Sequence, residues 1–320
     1  MRSKKKYRNA ALFYFYCQKE ERQVTMQTLY DIAATTRQAF HYWKQPSDCQ
    51  QEKTPAAVVL RMAKDIRKDF LPGSSAREIF HYIRTNKHPQ YNNLLIGWGK
   101  HHFESLCLDA GMRIESRRFV PKTTVRGDYI FPNRIEGADI NDINRIWVSD
   151  ITYLYGFEGQ LLGYATSLID LYSRRLLGLS FSQTMHASVT SRAILEQAFK
   201  IRTQSAYPSL IFHSDGGKQY IEKDFLALLR SRNIDSSMAE SCYENAFAES
   251  FNDLLKNHLM VDMTINSFTQ LKKLETFIKH CYNFNRPHGS LNKRTPVEFE
   301  LSLATLPPCQ RTLLLIKATT

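Results

Sequence analysis

No stretch of this sequence is apolar enough to cross a membrane, since its hydrophobic runs fall well short of the ~18–20 residues a spanning helix needs. Met1-Arg-Ser-Lys-Lys-Lys6 has no apolar region behind it of the kind a secretory signal carries, so a cytoplasmic chain is expected. Cys-x-x-Cys pairs are missing. The six cysteines, at 17, 49, 107, 242, 281 and 309, lie far apart, which argues against a zinc finger or a disulfide scaffold and for free thiols. Pro/Gly/Ser-rich and single-residue tracts are also missing, which excludes collagen-like, mucin-like and largely disordered chains. What remains is a folded composition, 43% hydrophobic and 23% charged. At roughly 100–200 residues per domain, 320 residues make two or three domains.

Charge is unevenly spread. The chain carries 43 Lys plus Arg against 31 Asp plus Glu, net +12. Residues 1–149 hold 25 basic and 15 acidic side chains (+10), and 150–320 hold 18 and 16 (+2). A basic half can serve solubility alone. It also suits a polyanion, because neutralising phosphates releases counterions. The N-terminal half is therefore expected to hold double-stranded DNA, and the near-neutral half to do something else.

Within residues 1–50, Leu29, Tyr30 and Ile32 form one short apolar helical face, and Ala33-Ala34-Thr35 offers a tight turn. Thr36 to Trp43 reads as a second helix with a threonine cap. A helix-turn-helix would present Arg37, Gln38, His41 and Lys44 to DNA; an ordinary helical hairpin fits the same pattern. Residues 51–122 read as a second all-helical unit. An amphipathic Val58–Phe70 is broken by Leu71-Pro-Gly-Ser-Ser75, and Ser75 caps Ala76–Arg84. A third helix, Lys100–Asp109, stops at Gly111 and carries Lys100 and His101 at its start, where a recognition helix meets bases. The weakly periodic residues 123–144, within the basic stretch Arg113–Arg145, read as a linker.

At Arg145 the texture changes. Arg145–Leu154, Gly163–Leu171 and Arg175–Phe181 read as a three-strand meander. Helices are expected over Ala187–Arg202, Ile221–Arg232 and Asn245–His258, with a short buried strand at Ser209–Asp215. Antiparallel strands followed by alternating helices and strands outline an α/β ribonuclease H-like core over 145–300, a mixed sheet preceded by all-α helix-turn-helix units and followed by a tail at 301–320.

Asp150 lies inside the apolar run Ile146-Trp-Val-Ser-Asp-Ile-Thr-Tyr153, and Asp215 closes Leu210-Ile-Phe-His-Ser-Asp215 before Gly216-Gly217. A carboxylate in such a run is costly unless paired, hydrogen-bonded or metal-bound. Glu249 opens the amphipathic Glu249-Ser-Phe-Asn-Asp-Leu-Leu-Lys256. Two strand acids and a helix acid suit two Mg²⁺ ions about 3.5–4 Å apart, with Mn²⁺ as a substitute, acting on a phosphodiester. Each acid alone fits a cap or a surface position better; three together favour the metal site. Lys256 falls seven residues after Glu249, on the same helical face, as a phosphate contact or a solvated lysine. Asp170 is expected to orient neighbours, and His213 to be an ordinary strand histidine or to position a carboxylate.

Trp147-Val-Ser-Asp-Ile-Thr-Tyr153, His213-Ser-Asp-Gly-Gly-Lys-Gln-Tyr220, the segment Ser237–Phe251 and the tail Tyr282-Asn-Phe-Asn-Arg-Pro-His-Gly-Ser-Leu-Asn-Lys-Arg-Thr-Pro-Val-Glu-Phe299 resemble bacterial insertion-sequence DDE transposases. That group has a retroviral integrase-type core and is typically encoded by the second of two overlapping frames. The resemblance implies that Asp150, Asp215 and Glu249 are catalytic and bind Mg²⁺. It also implies that the protein binds inverted-repeat ends as a homo-multimer, cleaves 3′ ends and transfers strands. A partner protein from the upstream frame, a nucleoid-associated location and a copy-out pathway are implied only by the group. The alternative is a domesticated or inactive relative that keeps DNA binding alone, as a repressor or architectural protein. Some positions depart from the group. The 33 residues between Asp215 and Glu249 are slightly fewer than usual, Gly216 replaces an arginine, and Pro72-Gly-Ser-Ser75 stands where a Tyr-Gly motif is usual.

Overall fold

The computed structural model describes residues 25–32, 36, 53–85, 91, 95–114, 131–156, 159–239, 245–261 and 263–316. The chain divides into two compact units, Met1–Thr54 and Pro55–Thr320. In the first, helix α1 (Met26–Ile32) forms where the apolar face predicts it. Thr25 Oγ1 accepts from the amide of Thr28 at its start. Arg37, Gln38, His41 and Lys44 lie outside the described residues.

The second unit opens with three helices, α2 (Ala56–Asp69), α3 (Ala76–Arg84) and α4 (Lys100–Asp109). They enclose a core of their own built from Val59, Ile66, Ile79, Trp98, Phe103 and Cys107. The capping box at α3 is complete: Ser75 Oγ accepts from the Glu78 amide, and Glu78 Oε2 accepts from the Ser75 amide.

Strands β2 (Ile146–Tyr155), β3 (Leu161–Asp170) and β4 (Leu176–Ser182) form the expected antiparallel meander. Strand β5 (Leu210–Ser214) pairs parallel to β2, and β6 (Ile234–Met238) parallel to β5. The sheet order is therefore β4-β3-β2-β5-β6. Helix α5 (Ser191–Ile201) joins β4 to β5, and α6 (Lys223–Arg230) joins β5 to β6. This topology is ribonuclease H-like.

Alternation along β2 sorts its side chains between two helical layers. Trp147 and Ile151 join Ile194, Leu195, Phe225 and Leu229 on the α5–α6 face. Ile146, Val148 and Leu154 face α7 (Ala246–Leu254) and α8 (Phe268–His280) through Phe251, Leu271 and Ile278. Both α7 and α8 end in a π turn, Leu255–Leu259 and Cys281–Asn285. A last helix, α9 (Pro296–Leu303), follows a second complete capping box, Thr295 with Glu298.

Two stretches differ from their sequence reading. The linker expected over 123–144 is packed onto the core where it is described, because Ile135 and Ile140 are apolar enough to bury there. Its strand β1 (Asp139–Ile140) pairs antiparallel with β7 (Leu314–Leu315), so part of the expected 301–320 tail belongs to the same body. Strand β6 has no strand signature, since Ile-Asp-Ser-Ser-Met is mostly polar; its backbone pairing with β5 makes it a strand.

Candidate active site

Register brings the two aspartates together. Ser149 of β2 stands opposite Ser214 of β5, so Asp150 and Asp215 are the next residues on adjacent parallel strands. Ligand sites in such sheets lie at the carboxyl ends of parallel strands. Asp150 shares the sheet face of Val148 and Leu154, which α7 covers.

Two asparagines fasten α7 there. Asn245 Nδ2 donates to the Ser149 carbonyl at 3.0 Å, and Asn252 Nδ2 donates to Asp150 Oδ2 at 2.8 Å. Glu249 lies between them on the helix, three residues from Asn252, and so on the flank that reaches β2. Asp150 Oδ1 accepts from the Ile151 amide at 2.9 Å. Below the aspartates, Ser149 Oγ shares a 2.8 Å hydrogen bond with the Tyr220 hydroxyl and donates to the Ser167 carbonyl.

The electrostatics match this crowding. Burial raises the Asp215 pKa, the Gly217 amide opposes that shift, and the charge of Glu249 adds to it. The amide of Gly217 donates to Asp215 Oδ1 at 3.2 Å. A Cβ on Gly217 would stand 3.1 Å from that same oxygen, so the bare backbone suits the turn. Burial, with Asp215 and Asp150 next, drives the Tyr220 phenol well above its usual pKa, which keeps it protonated beside two carboxylates.

Among the described residues, no three His, Cys, Asp or Glu side chains already stand close enough to hold an ion. The donor set nonetheless fits a hard divalent cation. Asp150, Asp215 and Glu249 offer carboxylate oxygens, each carboxylate with about four acceptor positions. The rise in the Asp215 pKa that Glu249 contributes is a repulsion a cation would relieve.

The remaining expected residues have plain places. Asp170 sits at the far end of β3 opposite Trp147, buried, and accepts from the amides of Asn144, Tyr172 and Ser173, so it orients the β3–β4 turn. His213 is buried with Nδ1 2.9 Å from Ser237 Oγ, tying β5 to β6. Lys100 and His101 are exposed at the start of α4, and His101 stands 3.9 Å from Glu104. Lys256 falls in the π turn, where Met260 bonds back to the Leu255 carbonyl five residues earlier. The seven-residue spacing that would put Lys256 on the Glu249 face assumes an unbroken α-helix, and the pitch changes before it. Glu240 and Glu244, the glutamates of the Ser237–Phe251 segment that compete with Glu249 for the third ligand position, lie outside the described residues.

Sequence reasoning missed Asn245, Asn252 and the Ser149–Tyr220 pair. Asn252 carries the one usable signal: an amide three residues after an acid, on the side of the helix that also buries Phe251.

Residues 141–242 and 233–296 each match an integrase core domain family. Together these two matches span residues 141–296, and insertion-sequence transposases are among the proteins this chain is similar to. The transposase for insertion sequence element IS904 of Lactococcus lactis subsp. lactis (strain IL1403) is 32% identical over 160 residues, covering 49% of this chain and 61% of that protein. Transposase InsF for insertion sequence IS3A of Escherichia coli (strain K12) is 34% identical over 160 residues, 49% of this chain and 54% of the other. A 31 kDa protein of insertion element IS600 from Shigella sonnei is 25% identical over 276 residues, 84% of this chain and 96% of its own length. The chain thus spans little more than half the length of the two transposases. No helix among the described residues is long and apolar enough to cross a membrane.

Proposed function

We propose that this protein is a DDE transposase that binds the inverted-repeat ends of a mobile element, cleaves their 3′ ends and joins them to target DNA. The observation that carries the reading is the adjacency of Asp150 and Asp215 on parallel strands, with Asn252 drawing the Glu249 helix onto Asp150. Asp150, Asp215 and Glu249 would hold Mg²⁺, which when bound supplies Lewis-acid neutralisation of the attacking and leaving oxygens. The chain's own residues then have distinct tasks. Asn252 and the Ile151 amide each take one lone pair of Asp150 and so orient its carboxylate. The Gly217 amide does the same for Asp215. Tyr220 stays protonated and adds no further negative charge beneath the acids.

In the first reaction, water attacks the phosphorus at the element boundary, a P–O bond forms, and the P–O3′ bond breaks to leave a 3′-hydroxyl. In the second, that hydroxyl attacks a target phosphodiester and displaces another O3′. No covalent bond to protein is needed. The helices at the N-terminal side, with Lys100 and His101 and with Arg37, Gln38, His41 and Lys44, would hold the ends. Several copies would assemble on the DNA.

The test is a cleavage assay on labelled element ends. Wild-type protein should nick at the 3′ boundary in Mg²⁺ and bind without nicking in Ca²⁺. Asp150→Asn and Asp215→Asn should bind the ends but not cut. Near wild-type cutting by either variant would overturn the assignment.

A further inference from the structure

The Leu71-Pro-Gly-Ser-Ser75 turn between α2 and α3 does more than reverse the chain. Gly73, at φ +61°, lies against the end of the catalytic helix so closely that a Cβ there would stand 1.6 Å from the His258 carbonyl oxygen. Asn285 Nδ2, in the π turn that ends α8, donates to the Phe70 carbonyl at 3.1 Å. Arg286 follows; it is buried and reaches both Ser74 Oγ and Glu78 Oε1 at 3.1 Å. Glu78 closes the α3 capping box with its other oxygen, so one carboxylate both starts that helix and grips the core. Between these contacts and the acids stands Tyr282, whose ring meets Phe251 of α7 edge-on at 5.2 Å and His288 at 4.7 Å. Phe251 precedes Asn252, the residue that holds Asp150.

We propose that the Leu71–Ser75 turn, with Arg286 as its anchor, is a positioning wedge that sets the seat of α7 and hence of Glu249. The helical unit is then part of the catalytic frame as well as a DNA reader. The contact is backbone on backbone at Gly73 and charge on charge at Arg286, both shielded from water, so it is stiff where a tethered module would be loose. Each π turn presents the surface the wedge meets, and such turns recur at functional sites. This inference rests on the proposed role of Glu249, but its first measurement does not.

The experiment compares full-length wild type with Gly73→Ala, Arg286→Gln and Arg286→Lys. Amide hydrogen exchange in the free proteins should rise at least about tenfold over residues 246–259 in the first two, while β2–β4 keep their protection. Arg286→Lys should recover part of that protection. On element-end DNA the same variants should keep affinity within about threefold, and single-turnover cleavage should fall about tenfold or more. Unchanged exchange over 246–259, or a rise spread evenly across the sheet, would overturn the wedge. If Gly73→Ala does not fold, the two Arg286 variants give the same decision. A wild type that binds ends but never cleaves them refutes the transposase reading and leaves the exchange result to judge the wedge.

Discussion

Asp150 accepts from the Asn252 side chain and from the Ile151 amide, and that side chain comes from another element. Asn252 can present only its NH₂ to a carboxylate, since its carbonyl oxygen would be repelled. Replacing it by leucine keeps the approximate size and removes the donor. Outer partners of this kind typically carry about 10–100-fold in metal affinity or activity. Asn252→Leu should therefore shift the Mg²⁺ dependence of end cleavage by that order, and an unchanged titration would count against an orienting role. Glu249→Gln, by contrast, should abolish cleavage and strand transfer outright, while Glu240→Gln and Glu244→Gln cost less than about tenfold. A second residue matters for stability. Burial first, then the charge of Arg286, push the His288 pKa from 6.5 down to about 4. A base whose folded pKa is depressed stabilises the fold above its unfolded value and loses that contribution as pH falls toward the folded one. Between about pH 6.5 and 4 the loss should reach ~3 kcal/mol. His288→Phe should flatten the acid limb of denaturation midpoints against pH relative to wild type; parallel curves would contradict this.

The two elements that matter most are α7 and β6. Helix α7 is short, and beside the bonds of Asn245 and Asn252 it is held by Phe251, buried against the sheet and Tyr282. Phe251→Ala should cost ~3–5 kcal/mol of unfolding free energy, measured in denaturant. Its apolar side was readable from Phe251, Leu254 and Leu255. The π turn after Leu254 was not, because a widened turn depends on what it packs against. Strand β6 shows the same limit from the other side. Its polar residues carry no strand pattern, and only the free edge of β5 makes pairing the best use of their backbone groups.

For the whole molecule, the excess charge of the N-terminal half predicts how DNA is held. With several Lys and Arg displacing counterions, end affinity should fall by about 10³–10⁵ between roughly 50 and 200 mM salt if 6–10 phosphates are contacted. A shallow salt dependence would mean that charge is not the main grip. The division at Thr54 predicts a second behaviour. Removing Met1–Thr54 should leave the unfolding midpoint of Pro55–Thr320 in place while weakening end binding. A collapse of that midpoint would show that the first unit supports the second.

The sequence alone determined the meander, the helix start at Ser75, and which three acids are the candidates. These are local matters: alternation, capping chemistry, and carboxylates in apolar runs whose desolvation demands a reason. Tertiary structure alone decided which residues meet. The register that sets Asp150 beside Asp215, the reach of Asn252 across 102 positions and the grip of Arg286 on Glu78 join parts of the chain with no local signal between them. Such contacts exist only once the sheet has paired and its faces are covered, because the packed core, and no pattern along the chain, brings those side chains within hydrogen-bonding distance.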